Sequence, residues 1–368
     1  MFPAVDPIPL PAPVWLMKLL SHVTLALHFS AVMILVGSLA LVVWHNLRGR
    51  AAGRSDQIDA SFVLARRMPV VMTWVINLGI PPLLFTQVLY GRAIYSSSVL
   101  IGVMWFSVIP LVMLAYWMLY ATSSRIEAGK SGWPTALVAL FVAMGIGQIY
   151  SMNMTLMLRP EVWQQMYTNS PSGLQGVSGD PTMMPRWLFV MSGGLVFGGL
   201  WALMLSNMGH LKDGVKAILR RSGLVAVVGS ILQIACGMTV VRAQSEAVRA
   251  GLADSPLFKV SGLLFLVAAL VVAGLAGGQA LRGRSTVFLG AAGVVVGFLA
   301  NAGSVIYRDG IRDLTLLGKG FDVWKRAESA NWSVLILFLL LFVIMLVVVL
   351  WLLSVMKRAT APSEQVNP

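Results

Sequence analysis

The chain has 368 residues, 58% hydrophobic and only 11% charged, proportions that exclude a water-soluble domain and describe a polytopic membrane protein. Its formal net charge of +13 would suit a nucleic-acid binder, but the Lys and Arg fall in short breaks between apolar runs, where the positive-inside rule accounts for them. The single cysteine, Cys236, excludes an internal disulfide and a C-x-x-C-H attachment site for covalent haem c.

Runs long enough to cross a bilayer, roughly 20 residues each, lie near 15–44, 69–90, 98–121, 134–157, 186–208, 222–242, 257–280, 286–306 and 332–356. The expected fold is an all-α bundle of about nine spans forming one integral-membrane domain over 1–356, with a disordered polar tail at 357–368. The opening MFPAVDPIPLPAPVW has no basic n-region, so the first run is expected to stay as a transmembrane helix. Arg48, Arg50, Arg66, Arg67, Lys216 and Arg220 stand in alternate breaks. That alternation predicts an outer N-terminus and an inner C-terminus, as in a multi-pass protein of a bacterial inner membrane. Segment 54–67 has charged and apolar residues at helical spacing and predicts a short amphipathic helix on the inner surface.

Segment 307–331 breaks the charge rule: Arg308, Arg312, Lys319, Lys325 and Arg326 are expected in an outer loop, where they would face an anionic partner. Shifting the chain by 161 residues lays ALHFSAVMILVGSLAL over LFVMSGGLVFGGLWAL, with Gly37 on Gly198 and His28 on Phe189. This faint two-fold repeat divides the bundle into halves of about 15–157 and 186–306, followed by the final helix.

Four histidines are present, and His28 alone falls deep in an apolar run. An imidazole there is expected to be paired, metal-bound or facing a wet cavity. No second histidine on another helix shares its depth, which disfavours a bis-His haem, while one non-covalent haem b on His28 remains open beside a cofactor-free reading. Lys18 and Lys259 stand near helix ends, where they either snorkel to water or meet a propionate or quinone oxygen. No Asp or Glu is expected well inside a span, no metal-spaced cluster is present, and a solute transporter is the weakest reading.

These features resemble subunit I of cytochrome bd quinol oxidase. NLGIPPLLFTQVLYGRAIYSSSVLIG is similar to that subunit's second span and following turn, NMTLMLRPEVW to the segment after its fourth span, and YRDGIRDLTLLGKGFDVWKRAESANWSVLILF to its last outer loop and helix. The resemblance implies a haem ligand at His28. It also marks departures: Phe189 or its neighbours in RWLFVMSGG stand where the family has a haem histidine, Lys259, Val260 and Ser261 where it has a methionine, and Val305 near a glutamate ligand. What it implies is a membrane subunit of a respiratory electron-transfer complex that links the quinone pool to a periplasmic, multihaem c-type cytochrome. The alternative is a haem-free anchor beside other membrane subunits; in either case oxygen reduction by this chain alone is not expected.

Overall fold

The computed structural model describes residues 8–176 and 179–359. Thirteen α-helices follow in order: α1 (Val14–Ala51), α2 (Ser55–Ala65), α3 (Met68–Leu100), α4 (Gly102–Glu127), α5 (Trp133–Leu156), α6 (Trp163–Asn169), α7 (Met183–Leu205), α8 (Asp213–Arg221), α9 (Leu224–Arg242), α10 (Glu246–Asp254), α11 (Pro256–Arg282), α12 (Val287–Leu317) and α13 (Trp332–Ala359). Among the described residues, eight helical segments are long and apolar enough to cross a membrane. The ninth expected span corresponds to α13, whose described apolar part runs Trp332–Met345. The all-α bundle expected from the apolar runs is the fold observed, and the amphipathic segment is α2. Of the expected polar tail, residues 360–368 lie outside the described residues.

The bundle is organised on α1 and α7, the two most buried spans. Their crossing is set by glycines. A Cβ on Gly37 would lie 1.8 Å from the Gly194 carbonyl oxygen, and one on Gly198 would lie 2.6 Å from the Gly37 carbonyl carbon. Small residues at a membrane-helix crossing let backbones touch, and the two glycines overlaid by the 161-residue shift are the ones in contact here. At one end of α1, a core of Leu39, Val42, Leu64, Met68, Leu119 and Leu219 joins α1 to α2, α3, α4 and α8. Fully buried Asn46 completes that end, accepting hydrogen bonds from the backbone N–H groups of Gly132 and Trp133, both at 3.0 Å. It thereby satisfies donors at the start of α5 that the helix itself leaves unpaired.

Two helices run past the ends of their apolar runs. Pro81 and Pro82 do not break α3: the helix continues through them and departs from helical geometry at Tyr90, with φ −125° and ψ 29°. Segment 307–331 is not a loop throughout, because α12 runs on to Leu317 and carries Arg308, Asp309, Arg312 and Asp313 with it. At this end the chain before α1 is tied to the segment before α13. Leu10 N–H donates to Ala327 O and Ser329 N–H to Leu10 O, both at 2.8 Å, and Val14 N–H reaches Glu328 Oε1 at 2.9 Å.

Candidate functional site

Where α1 begins, a knot of charge joins three helices. Lys18 projects from α1 and is 4% exposed. Asp309 and Asp313 stand one helical turn apart on α12, a spacing that puts both carboxylates on one face. The Lys18 ammonium bonds Asp309 Oδ2 at 2.7 Å, Asp313 Oδ2, and the hydroxyl of fully buried Tyr90 at 2.7 Å. Tyr90 O–H faces Asp313 Oδ1 at 2.6 Å and Asp309 Oδ1 at 3.2 Å, a position set by the helical irregularity at this residue. His22, one turn along α1, donates from Nε2 to Asp309 Oδ2 at 2.9 Å. Arg312 approaches Asp309 Oδ1 at 3.4 Å and covers the Tyr90 ring at 4.8 Å. Trp324 Nε1–H caps the knot at Asp313, 3.3 Å away.

Lys18 therefore does not snorkel: its three protons have three acceptors inside the protein. Asp309 and Asp313 belong to α12, on the turns that carry the helix past the apolar run ending at residue 306. The signal was present in the sequence. Repeating Arg-Asp at 308–309 and 312–313 is helical spacing, and an end placed at residue 306 concealed it.

Beside the knot lies a cavity of about 620 Å³ between α7, α9, α11 and α12. Its walls are apolar, with Phe189, Ile234, Val240, Phe258, Phe265 and Tyr307 among them. Leu263, 62% exposed, and Met238, 47% exposed, line it from the spans α11 and α9. Arg186, Arg308 and Arg312 line it together with the exposed Arg242, Arg249 and Lys259, and among the described residues no Asp or Glu lines it. Arg308 lies 5.6 Å from the Phe29 ring.

His28 lies elsewhere, in the seam between α1 and α3. Its Nδ1–H donates to the Val75 carbonyl at 3.0 Å. Its ring rests on Gly79, where a Cβ would come within 2.8 Å of Cε1. The bond at Nδ1 leaves Nε2 as the basic nitrogen, the tautomer that ligating histidines use. The cavity, however, holds neither His28 nor any other histidine: Phe189 and Lys259 line it instead. A haem in that cavity would have no imidazole for its iron, so the cavity residues do not fit haem; His28 stands apart from it, its ring packed on Gly79. Among the described residues no group of three His, Cys, Asp or Glu side chains could hold a metal ion.

The five cations expected to face a partner separate. Arg312 is buried in the knot and Arg308 turns to the cavity. Lys319 pairs with Glu161 at 3.1 Å and Lys325 with Asp322 at 3.6 Å. Arg326 donates to the Val88 carbonyl at 2.6 Å and the Leu89 carbonyl at 3.3 Å, holding the segment before α13 against α3. Partial burial opposes charge on Glu161, but its backbone hydrogen bond, Lys319 and Arg159 outweigh that and hold the carboxyl below its ordinary value.

Long apolar helices packed around a charged knot and an apolar cavity define an integral-membrane bundle. No family model and no curated protein matches the chain. Among solved structures it is similar to the bd oxidase from Geobacillus thermodenitrificans, with a TM-score of 0.68 at 12% identity, over 96% of this chain and 100% of that one. The likeness shows a shared fold.

Proposed function

We propose that this chain is a membrane subunit of a respiratory electron-transfer complex, acting as the scaffold that holds redox-active partners at the quinone pool. The observation that carries this reading is the fold shared with a bd oxidase over 96% of the chain; the cavity lined by Phe189 and Lys259, with no histidine, supports it. The helix α13 supports it. Its described side chains are exposed on successive faces, with Val334 at 59%, Ile336 at 62%, Phe338 at 60% and Leu341 at 55%. A helix apolar on all sides with so little of its surface packed internally suits burial against lipid or another membrane subunit. The basic segment before α13 is largely neutralised internally, so other membrane subunits are its better-supported partners than a periplasmic multihaem cytochrome.

Affinity purification of the full chain from native membranes tests the proposal: redox-active subunits should co-purify, and deleting the chain should abolish quinol oxidation by the complex. Recovery of the chain alone, with quinol oxidation intact after deletion, refutes it. A second reading, a redox subunit with one haem on His28, is favoured by the free Nε2 that the Val75 hydrogen bond creates. A reduced-minus-oxidised α-band abolished in His28→Ala would establish it, and a colourless chain would exclude it.

A further inference from the structure

The charges around the cavity do not balance. Arg186, Arg308 and Arg312 line it beside the exposed Arg242, Arg249 and Lys259, and the carboxylates next to Arg312, Asp309 and Asp313, are both engaged by Lys18. Arg186 and Arg308 have neither a hydrogen bond nor an ion pair among the described residues; the neighbour of Arg308 is the Phe29 ring. Asp180 acts on Arg186 from beyond ion-pair distance and lies 4.0 Å from Arg159. Two guanidinium groups are thus directed into an apolar space with their donors unused. Uncompensated charge in such surroundings is costly, and a guanidinium presents the planar fork that matches phosphate or carboxylate oxygens.

The rest of the cavity describes what should carry the anion. At about 620 Å³ it falls within the range of small-molecule sites. Its walls are mostly hydrocarbon and aromatic, and the exposed apolar side chains of Leu263 and Met238 line it from two helices apolar enough to cross a membrane. Such a lining suits an amphiphile better than a water-borne anion, and a neutral quinone would leave the excess positive charge unrelieved. We infer that the cavity binds an anionic lipid, its phosphate or carboxylate head held by Arg186 and Arg308 and its acyl chain leaving between α9 and α11. This site is separate from the scaffold reading and does not depend on it.

The test is native mass spectrometry of the full chain extracted in mild detergent. About one anionic lipid per chain is expected. The Arg186→Gln/Arg308→Gln double variant should lower retention by at least about 10-fold, the scale of losing charge-assisted hydrogen bonds, while Lys319→Gln retains the wild-type amount. Delipidated chain is then offered phosphatidylglycerol, phosphatidylcholine or oleate in nanodiscs. Selective uptake of phosphatidylglycerol assigns a phospholipid phosphate, and displacement by oleate assigns a fatty-acid carboxylate; either supports the inference. Equal uptake of phosphatidylcholine, unchanged retention in the double variant, or a haem pigment lost in that variant would overturn it. If the double variant fails to fold, Leu263→Trp narrows the cavity with both guanidiniums intact. It should reduce uptake to a similar extent, and full uptake by it would equally overturn the site.

Discussion

Replacing Lys18 with Met tests the charged knot most directly. The substitution nearly keeps the length of the side chain and removes the ammonium that Asp309, Asp313 and Tyr90 share. The two aspartates then face each other one turn apart, their carboxylates only 12% and 13% exposed, with Arg312 at 3.4 Å and His22 at 2.9 Å left as partners of Asp309. Removing one member of a buried ion pair costs about 3–5 kcal/mol, or roughly two to nearly four orders of magnitude in the unfolding equilibrium. Unfolding of the purified chain in mixed micelles, followed by circular dichroism, measures this loss. Asp313→Asn in the same background removes one of the stranded charges and should recover about 1–3 kcal/mol as a coupling between neighbouring sites. A Lys18→Met chain within about 1 kcal/mol of wild type, or a double variant whose losses simply add, would refute the view that this knot holds α1, α3 and α12 together.

Three further outcomes follow from the packing. Gly37→Ala should destabilise the bundle by about 1–3 kcal/mol through overpacking, because its Cβ meets the Gly194 backbone. Gly145→Ala, with nothing within 4 Å, should gain about 0.5–1 kcal/mol; thermal midpoints in one detergent compare them, and equal shifts would contradict the glycine crossing. Asn46→Leu strands the Gly132 and Trp133 donors and should cost about 1–3 kcal/mol for each group left unpaired, with faster hydrogen exchange at the start of α5 as its local signature. The lowered Glu161 carboxyl contributes stability that is present above pH 4.5 and lost as pH falls through its folded value. The pair with Lys319 is half exposed and worth no more than about 1 kcal/mol. Lys319→Ala should therefore diminish the difference in unfolding midpoint between pH 6 and pH 3, and an unchanged difference would rule the pair out as its source.

The fold was legible in the sequence because hydrocarbon burial is written in long apolar runs; these locate the spans, although α1, α3 and α12 extend well past the ends of their runs. The candidate site was less so. Arg308, Asp309, Arg312 and Asp313 raise local polarity enough to end a hydropathy window at residue 306, yet the backbone stays helical to Leu317 because each charge finds a partner or a cavity. Lys18 was visible as an unusual cation, but its partner lies 291 residues away, and nothing local announces such a pairing. Tyr90 entered through a departure from helical φ and ψ that two nearby prolines misplace. Arg186 precedes an apolar run like any flanking arginine; only the space beside it gives it a different part.

The same separation of 291 residues sets a timetable for assembly. At synthesis rates of about 5–20 residues per second, α1 emerges roughly 15–60 s before α12 exists to meet it. During that interval the Lys18 ammonium has no carboxylate and must remain at the water's edge, with α1 riding correspondingly shallow. Arrival of Asp309 and Asp313 draws it inward, and the backbone pairing of Leu10 with Ala327 and Ser329 closes over it afterwards. A nascent or truncated chain thus carries a bare lysine where a finished one carries an ammonium paired with two carboxylates.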